Sequence, residues 1–497
     1  MRLLRVLPAL SALLAASPAL AQDAECPVNV YTPILLTQAG QAIGRAAQLG
    51  ETPEAQKALR DAMKFLQDEK KLASNPVGAG YIRAQIYVLW MHQPNVGSVV
   101  TNEQLGNKGV KTDKVDILTA ADSLLKAVEA AGPACAAETA QWRGSKPWTE
   151  RINKAYTFLG ADAIDSAEFY AKQSAQFNPS SPFVHNILAQ LANKRGDMPG
   201  MMSHLRAAIV EAAKDTSLAE TQKQMQFQLA QTAQGYAMTG GADQKAELNK
   251  EALDIFKQLL EQGKAGAEGA YAFSAASDIV TLNQDSVAAR ELLAPMVADP
   301  SGYGDLTLLL AADVARAFSR TDDAMAMYVG ALARNPNIRD ANYFLAYMYY
   351  EAKQPDKMLP LTERLIAIDP SNGDNYLMRA YAYQLMTSAE RDARKKAELQ
   401  KQVDELATKE ATLATQHKLL ITRFERRTAG AALAGVIENF GKTARSFSLK
   451  MEFLDGAGNV VETVTTEVAD VKPGERGTFE LLPTKEGIVA YRYEALK

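Results

Sequence analysis

Apolar residues recur three and four positions apart along most of this chain, the spacing that gives a helix one buried face. The period sets in at Ile34. Ala46, Leu49, Ala58, Ala62 and Phe65 carry it through Leu72, and Gly50 to Pro53 breaks the run into a hairpin. Residues 22–33, with Pro27 and Pro33, read as an irregular lead-in. Tyr81 to His92 predicts a second apolar helix, Pro94 to Lys111 a loop rich in Gly and Asn, and Asp113 to Ala131 a further helix. Residues 22–147 are therefore expected to form a helical repeat region of divergent sequence.

Near Trp148 the pattern becomes repetitive. The clearest copies lie between Asp305 and Pro370: Ala311 and Ala312 match Leu345 and Ala346, Ala315 matches Tyr349, Phe318 matches Ala352, Ala324 matches Met358, and Asn335-Pro336 matches Asp369-Pro370. The offset is 34 residues throughout (370 − 336 = 34). Earlier units place Ala155 and Ala167 at the packing points and close on Asn178-Pro179. The next carries Leu188, Ala189 and Ala192, turns at Gly196-Asp197, and resumes with Leu205 and Ala208. A third unit, around Leu229, Ala230 and Ala233, holds about ten extra residues between its helices by alignment to this period, from Gly240-Gly241 to about Lys250, before Ala252, Phe256 and Leu259. A fourth has Ala275, Ala276, Ile279 and Ala288 and closes at Asp299-Pro300. A last helix, Asp374 to Met386, shows Ala380 and Tyr383 at the expected places. Each hairpin leaves an apolar face that only a stacked neighbour can bury.

Residues 387–427 are charge-dense, and Ser388 to Arg427 contains no Gly or Pro, which predicts one long helix. Leu399, Val403, Leu406, Leu413 and Leu420, with Glu410 and His417, give either a coiled-coil seam or a cap laid over the last repeat. Past Arg427 the period becomes two. Phe447, Leu449, Met451 and Phe453 alternate with Ser448, Lys450 and Glu452, and turns follow at residues 455–459 and 472–475. Five or six short strands over 428–497 predict a small antiparallel sandwich. The fold class expected is mainly α: a helical-hairpin solenoid over 148–386, a long capping helix and a β-sandwich.

The 497 residues carry a formal charge of −4, so composition gives no support to nucleic-acid binding. Arg2 and Arg5, the apolar run Leu7 to Leu14 and Ala19-Leu20-Ala21 read as a secretory signal over 1–21, cut before Gln22, which would leave a charge of −6 (52 − 58). An uncleaved anchor is the alternative, but the apolar run is short. No later stretch reaches the ~18 apolar residues that span a bilayer. Asp23-Ala24-Glu25 before Cys26 excludes a lipid-modified cysteine. Cys26 and Cys135 are the chain's 2 cysteines, and in an exported protein a disulfide between them is expected, two unpaired thiols being the other outcome.

The 34-residue unit with small packing residues and a terminal Pro resembles the tetratricopeptide repeat, over about half the chain. The resemblance implies a right-handed superhelix whose concave face, built from first helices, binds peptides or partner proteins. Met358 and Thr362, at positions usually small or aromatic, and the extra residues near 240–250 depart from it. The tail resembles immunoglobulin-like modules of bacterial exported proteins, through Gly435-Val436-Ile437-Glu438-Asn439, Asp455-Gly456-Ala457-Gly458 and Pro473-Gly474-Glu475. Such modules contribute no catalytic residue.

No catalytic set emerges. Gly435 to Thr443 ends in Gly-Lys-Thr, but Gly435 precedes Gly441 by six and no helix is expected after it, so a phosphate loop is excluded. His92, His185, His204 and His417 lack partners at metal-ligand spacing, and neither a metal nor a cofactor is expected. The remaining candidate is the inward face of the first helices. Tyr343, Tyr347, Tyr350 and Glu351 fall on one helix side, Tyr381 belongs to the next unit, and Asn186, Gln190, Asn193 and Lys194 hold the corresponding positions earlier. The tyrosines either contact a partner or pack between helices. The function expected is a non-enzymatic adaptor, periplasmic or secreted, that holds a protein or peptide segment, with its tail sandwich docking elsewhere. A permanent subunit of an envelope or export assembly is the alternative, and an enzyme accessory subunit is less favoured.

Overall fold

A computed structural model describes residues 26–29, 32–94, 96–239 and 242–496. The leader, its cleavage site and Gly240-Gly241 lie outside the described residues. The chain forms two compact units, one up to Gln226 and one from Phe227.

The first unit begins with a 3-10 turn at Pro27–Asn29. Helices α1 (Ile34–Leu49), α2 (Pro53–Phe65), α3 (Glu69–Leu72) and α4 (Pro76–Met91) follow. Strand β1 (Val99–Thr101), helix α5 (Asn102–Leu105) and strand β2 (Lys114–Asp116) occupy the stretch read as loop and helix start; β1 and β2 pair antiparallel. Helix α6 (Ile117–Glu129) starts late because the Asp116 side chain caps it, accepting from the N–H groups of Leu118 at 3.1 Å and Thr119 at 3.3 Å. Helix α7 (Pro133–Arg143) leads to the repetitive hairpins α8 (Lys146–Gly160) with α9 (Ile164–Phe177) and α10 (Pro182–Lys194) with α11 (Met198–Ala212). Helix α12 (Ala219–Ala237) contains the division between units.

Cys26 and Cys135 form a disulfide, with their Cα atoms 5.0 Å apart, that ties the lead-in to α7. The Asn75 amide also holds the lead-in, donating to the carbonyl of Pro27 at 3.2 Å. The unit's other crosslink is electrostatic. Arg143 is only 9% exposed. It donates to Asp122 at 3.0 Å, to Glu129 at 2.5 and 3.0 Å, and to the carbonyl of Phe177 at 2.6 Å, so one guanidinium joins α6, α7 and α9.

The second unit continues with α13 (Ala242–Gly263), α14 (Ala267–Leu282), α15 (Ser286–Ala298), α16 (Asp305–Ala317), α17 (Thr321–Arg334), α18 (Arg339–Glu351), α19 (Pro355–Ile368), α20 (Gly373–Ala389) and α21 (Ala393–Ala414). Most of the extra residues near 242–250 lengthen α13 instead of forming a loop.

The helix hairpins form a tetratricopeptide-like solenoid fold, and the sequence period has a direct backbone expression. The residues after α9, α15, α17 and α19 are Asn178, Asp299, Asn335 and Asp369, with φ between −142 and −134° and ψ between 67 and 91°. Each precedes a proline, whose ring excludes the helical region for its predecessor. The turns within hairpins need a left-handed residue. Gly196 supplies it at φ 72°, but Asp162, Gln284, Ser319 and Lys353 adopt φ 54–57° with a Cβ present. Removing that Cβ relieves about 1 kcal/mol, of which glycine's freedom in the unfolded chain takes back roughly half. The triple variant Gln284→Gly, Ser319→Gly, Lys353→Gly should therefore gain about 1.5 kcal/mol, read as a higher melting temperature. An unchanged melt would mean that these turns carry no strain.

The predicted helix over 387–427 is corrected. Helix α21 ends at Ala414, and residues 417–426 form strand β3 (His417–Arg426). Alternation explains the switch: Leu419 points into the sandwich core while Lys418 and Leu420 face out. Leu399, Val403 and Leu406 are half-buried and Leu413 is buried, so α21 packs on α20 as a cap. The remaining strands are β4 (Ala431–Asn439), β5 (Arg445–Leu454), β6 (Val460–Val471), β7 (Arg476–Leu481) and β8 (Ala490–Tyr493). They form two antiparallel sheets, ordered β3-β4-β7 and β6-β5-β8, around Phe447, Leu449, Met451, Phe453, Leu433, Ile437 and Phe479. Gly435 is required in β4, since a Cβ there would stand 2.5 Å from the Phe479 ring, and it belongs to a strand and not to a phosphate loop.

The sandwich docks on the repeats of its own unit. Arg426 makes a two-pronged pair with Asp305 at the start of α16, both contacts at 2.9 Å. Asn335 donates to Asp305 at 3.0 Å and to the carbonyl of Val489 at 3.2 Å. The Tyr493 hydroxyl donates to Asp369, which also accepts from Arg339 Nε at 3.1 Å. The N–H of Ser371 donates to the Tyr493 oxygen at 3.3 Å, and Ser371 Oγ accepts from the N–H of Leu496 at 2.9 Å. Burial, then Asp369, pushes the Tyr493 phenol well above its usual range, so it stays a donor. Burial alone would raise the Asp305 carboxyl, but Arg426 and Asn335 outweigh it and hold it low.

Candidate partner-binding surface

Helix α18 buries Ala341, Asn342, Leu345, Ala346 and Met348 against its neighbours. That face being spent, the other side of the helix presents Tyr343, Tyr347, Tyr350 and Glu351. The structure divides the tyrosines between the two roles that the sequence left open. Tyr343, Tyr350 and Tyr381 are half-buried against Ala346, Met358, Met378 and Ala382. Tyr347 is 47% exposed and Glu351 is exposed. The Tyr347 and Tyr350 rings lie 6.5 Å apart, and those of Tyr350 and Tyr381 5.3 Å apart, so three tyrosines from α18 and α20 form one row. Tyr347 and Tyr381 occupy one repeat position (381 − 347 = 34), which is why consecutive units bring them side by side.

A second set of aromatic contacts runs from Tyr343 into residues that the sequence did not single out. Tyr343 meets Phe344 edge to face at 5.5 Å, and Phe344 stacks on Tyr328 at 6.1 Å. The Arg316 guanidinium lies 3.7 Å from the centre of the Phe344 ring, and Arg339 lies 5.5 Å from that of Tyr343. Tyr328 donates to Asp313 at 2.6 Å. Burial, then that carboxylate, pushes its phenol up. Asp313 and Arg316 hold the positions of Tyr347 and Tyr350 one repeat earlier (347 − 313 = 34, 350 − 316 = 34), so the period itself could have found them.

The polar set lies on α10, in the first unit. Asn186 is half-buried and donates to Tyr156 at 3.3 Å. Lys194 pairs with Asp162, in the turn of the preceding hairpin, at 2.8 Å, and Asn193 is exposed. Gln190 is half-buried on the same helix. These four do not form a cluster comparable to the tyrosine row. Two cavities occur away from both sets: one of about 220 Å³ beside Tyr303, Arg334 and Gly456, and one of about 440 Å³ between α1 and α4. Among the described residues no group of three or more His, Cys, Asp or Glu could hold a metal ion, and no helix is long and apolar enough to cross a membrane.

No family model matches the chain, and no curated protein matches it. Among solved structures it is similar to a tetratricopeptide repeat protein from Parabacteroides merdae, at 14% identity over 54% of this chain and 100% of that one, with a TM-score of 0.26. It is also similar to the assembly chaperone of RpL4 (residues 1–338), at 17% identity over 50% and 99% with a TM-score of 0.25. Yeast Tom70 is similar at 14% identity over 75% and 65% with a TM-score of 0.25.

Proposed function

We propose that the protein is a non-enzymatic exported scaffold, periplasmic or secreted, that holds a protein or peptide segment on the first-helix face of its second unit. The observation that supports this most is the Tyr347–Tyr350–Tyr381 row, in which a half-exposed ring stands beside two that neighbouring side chains hold in place. Rigid aromatic rings with polar tips bury area at low entropic cost. Export is supported by the leader-like residues 1–21 and by a disulfide, which persists in oxidising compartments. The tail is read as an immunoglobulin-like module used for internal docking. A permanent subunit of an envelope assembly is the second reading, favoured by the exposure of Tyr271, Leu282 and Val287 on α14 and α15.

A photocrosslinking residue at position 347 should capture a defined partner from envelope extract, and one at the exposed Val329 should not. Tyr347→Ala should then weaken binding of that partner by about 1–2 kcal/mol, the loss of one interface anchor. Its melting temperature should stay near that of the parent, because the ring is half in solvent. A large fall in melting temperature with normal binding by the folded fraction would assign the ring to packing and the site to another surface.

A further inference from the structure

His417 opens β3 directly after α21 and is 3% exposed, facing the interior at the end of the sandwich. Its ring meets Phe447 of β5 edge-on at 5.7 Å. Both ring nitrogens are buried, and neither has a hydrogen-bond partner among the described residues. That is an unusual state for an imidazole, since a buried polar atom is normally bonded. Among the described residues, the groups around it offer no counter-ion. From β5 comes Arg445 and from α21 comes Lys409, both cationic. From β4 comes Asn439, uncharged, paired with His417 in the ladder and spending its amide on the carbonyls of Thr443 and Val471. Neighbouring Glu438 is bonded to Arg476 at 3.0 Å, and Glu410 of α21 lies against Gly373 of α20.

We propose that His417 is an acid-sensitive latch: neutral, it lets the end of α21 close over the sandwich, and protonated, it opens that junction. An imidazolium at this place would sit in an apolar pocket beside two cations, so it must reach water, and it can do so only if the last turn of α21 and the first residues of β3 peel away. Burial first, then Arg445 and Lys409, holds the ring's pKa below its ordinary 6.5. The open form therefore binds a proton more readily than the closed form. Closure is complete above about pH 6.5 and weakens as pH falls, by about tenfold per unit until the closed form itself titrates. The latch acts on the joint between the capping helix and the sandwich, apart from the tyrosine row, and its success or failure is independent of the partner reading.

Amide hydrogen exchange on the full chain at pH 7.5 and pH 5.5 tests this, after correction for the pH dependence of the intrinsic rate. Protection of peptides covering 408–420 should fall in the parent, by up to about tenfold, and change little in His417→Leu. Exchange at the imidazole C2 position, followed by mass spectrometry on the unaltered protein, should give His417 a pKa below 6.5 whether or not the variant folds. Equal protection at both pH values, the same loss in His417→Leu, or a pKa of 6.5 or above would overturn the latch.

Discussion

Arg143→Met is expected to destabilise the first unit by about 3–5 kcal/mol, the usual cost of removing one partner from a buried ionic network. The side chain does three things at once. It neutralises Asp122, whose carboxylate is almost fully buried and would keep only Lys126, at 2.8 Å. It neutralises Glu129, which would be left with the Thr139 hydroxyl. It also satisfies the Phe177 carbonyl at the end of α9. The substitution therefore leaves Asp122 with Lys126 alone, Glu129 with a hydroxyl alone and the Phe177 carbonyl without its donor, while conserving volume. Because Trp90, Trp142 and Trp148 all lie in the first unit and are the chain's 3 tryptophans, fluorescence-detected urea unfolding follows that unit selectively. A loss below about 1 kcal/mol would show that the network is open to water and behaves as a surface pair. Replacing Arg143, Asp122 and Glu129 together by apolar residues should recover much of the loss, since an uncompensated charge is then no longer left behind.

Loss of the disulfide is expected to be of similar size. Cys26 and Cys135 are 109 residues apart in sequence. Closing a loop of that length removes about 4–5 kcal/mol of freedom from the unfolded chain in the chain-entropy model, an upper figure for real proteins. Cys26→Ser with Cys135→Ser should lower the tryptophan-detected unfolding midpoint accordingly, while the second unit unfolds unchanged. Both sulfurs are buried, so reductant should act on the native protein only as fast as the region opens. Thiol labelling of unreduced, denatured protein should find none; two reactive thiols would refute the bond.

The parts of the fold legible in the sequence are those fixed by local chemistry. A proline acts on its immediate predecessor, so Asn178, Asp299, Asn335 and Asp369 could be read as helix ends before any packing was known. Two cysteines leave one pairing. Tyr343, Tyr347 and Tyr350 share a helix side by arithmetic alone. What escaped the sequence depends on distant partners. From Ser388 to Arg427 no Gly or Pro marks a boundary, and Leu413, Leu420 and their neighbours satisfy a helical seam as well as they satisfy a strand. The strand wins because β4 supplies a ladder from His417 to Arg426. Arg143 looks like one more solvated cation, as its carboxylates lie 21 and 14 residues earlier in the chain. The half-burial of Tyr350 and Tyr381 needs Met358 and Met378, which only the stacked hairpins bring close.

The docking of the sandwich bears on how such a chain can grow. Arrays of this kind lengthen when a stretch of gene encoding one repeat is copied in place, and stacked units tolerate the copy because each touches only its neighbours. Here Asp305, Asn335 and Asp369 engage Arg426, Val489 and Tyr493 as a fixed template, with Asn335 and Asp369 one period apart (369 − 335 = 34). A copy inserted between Asp305 and Asp369 would move one anchor a full repeat away from its partner. Tolerated duplications and losses in relatives of this chain should therefore fall outside the stretch from Asp305 to Asp369, leaving α16 to α19 constant in number.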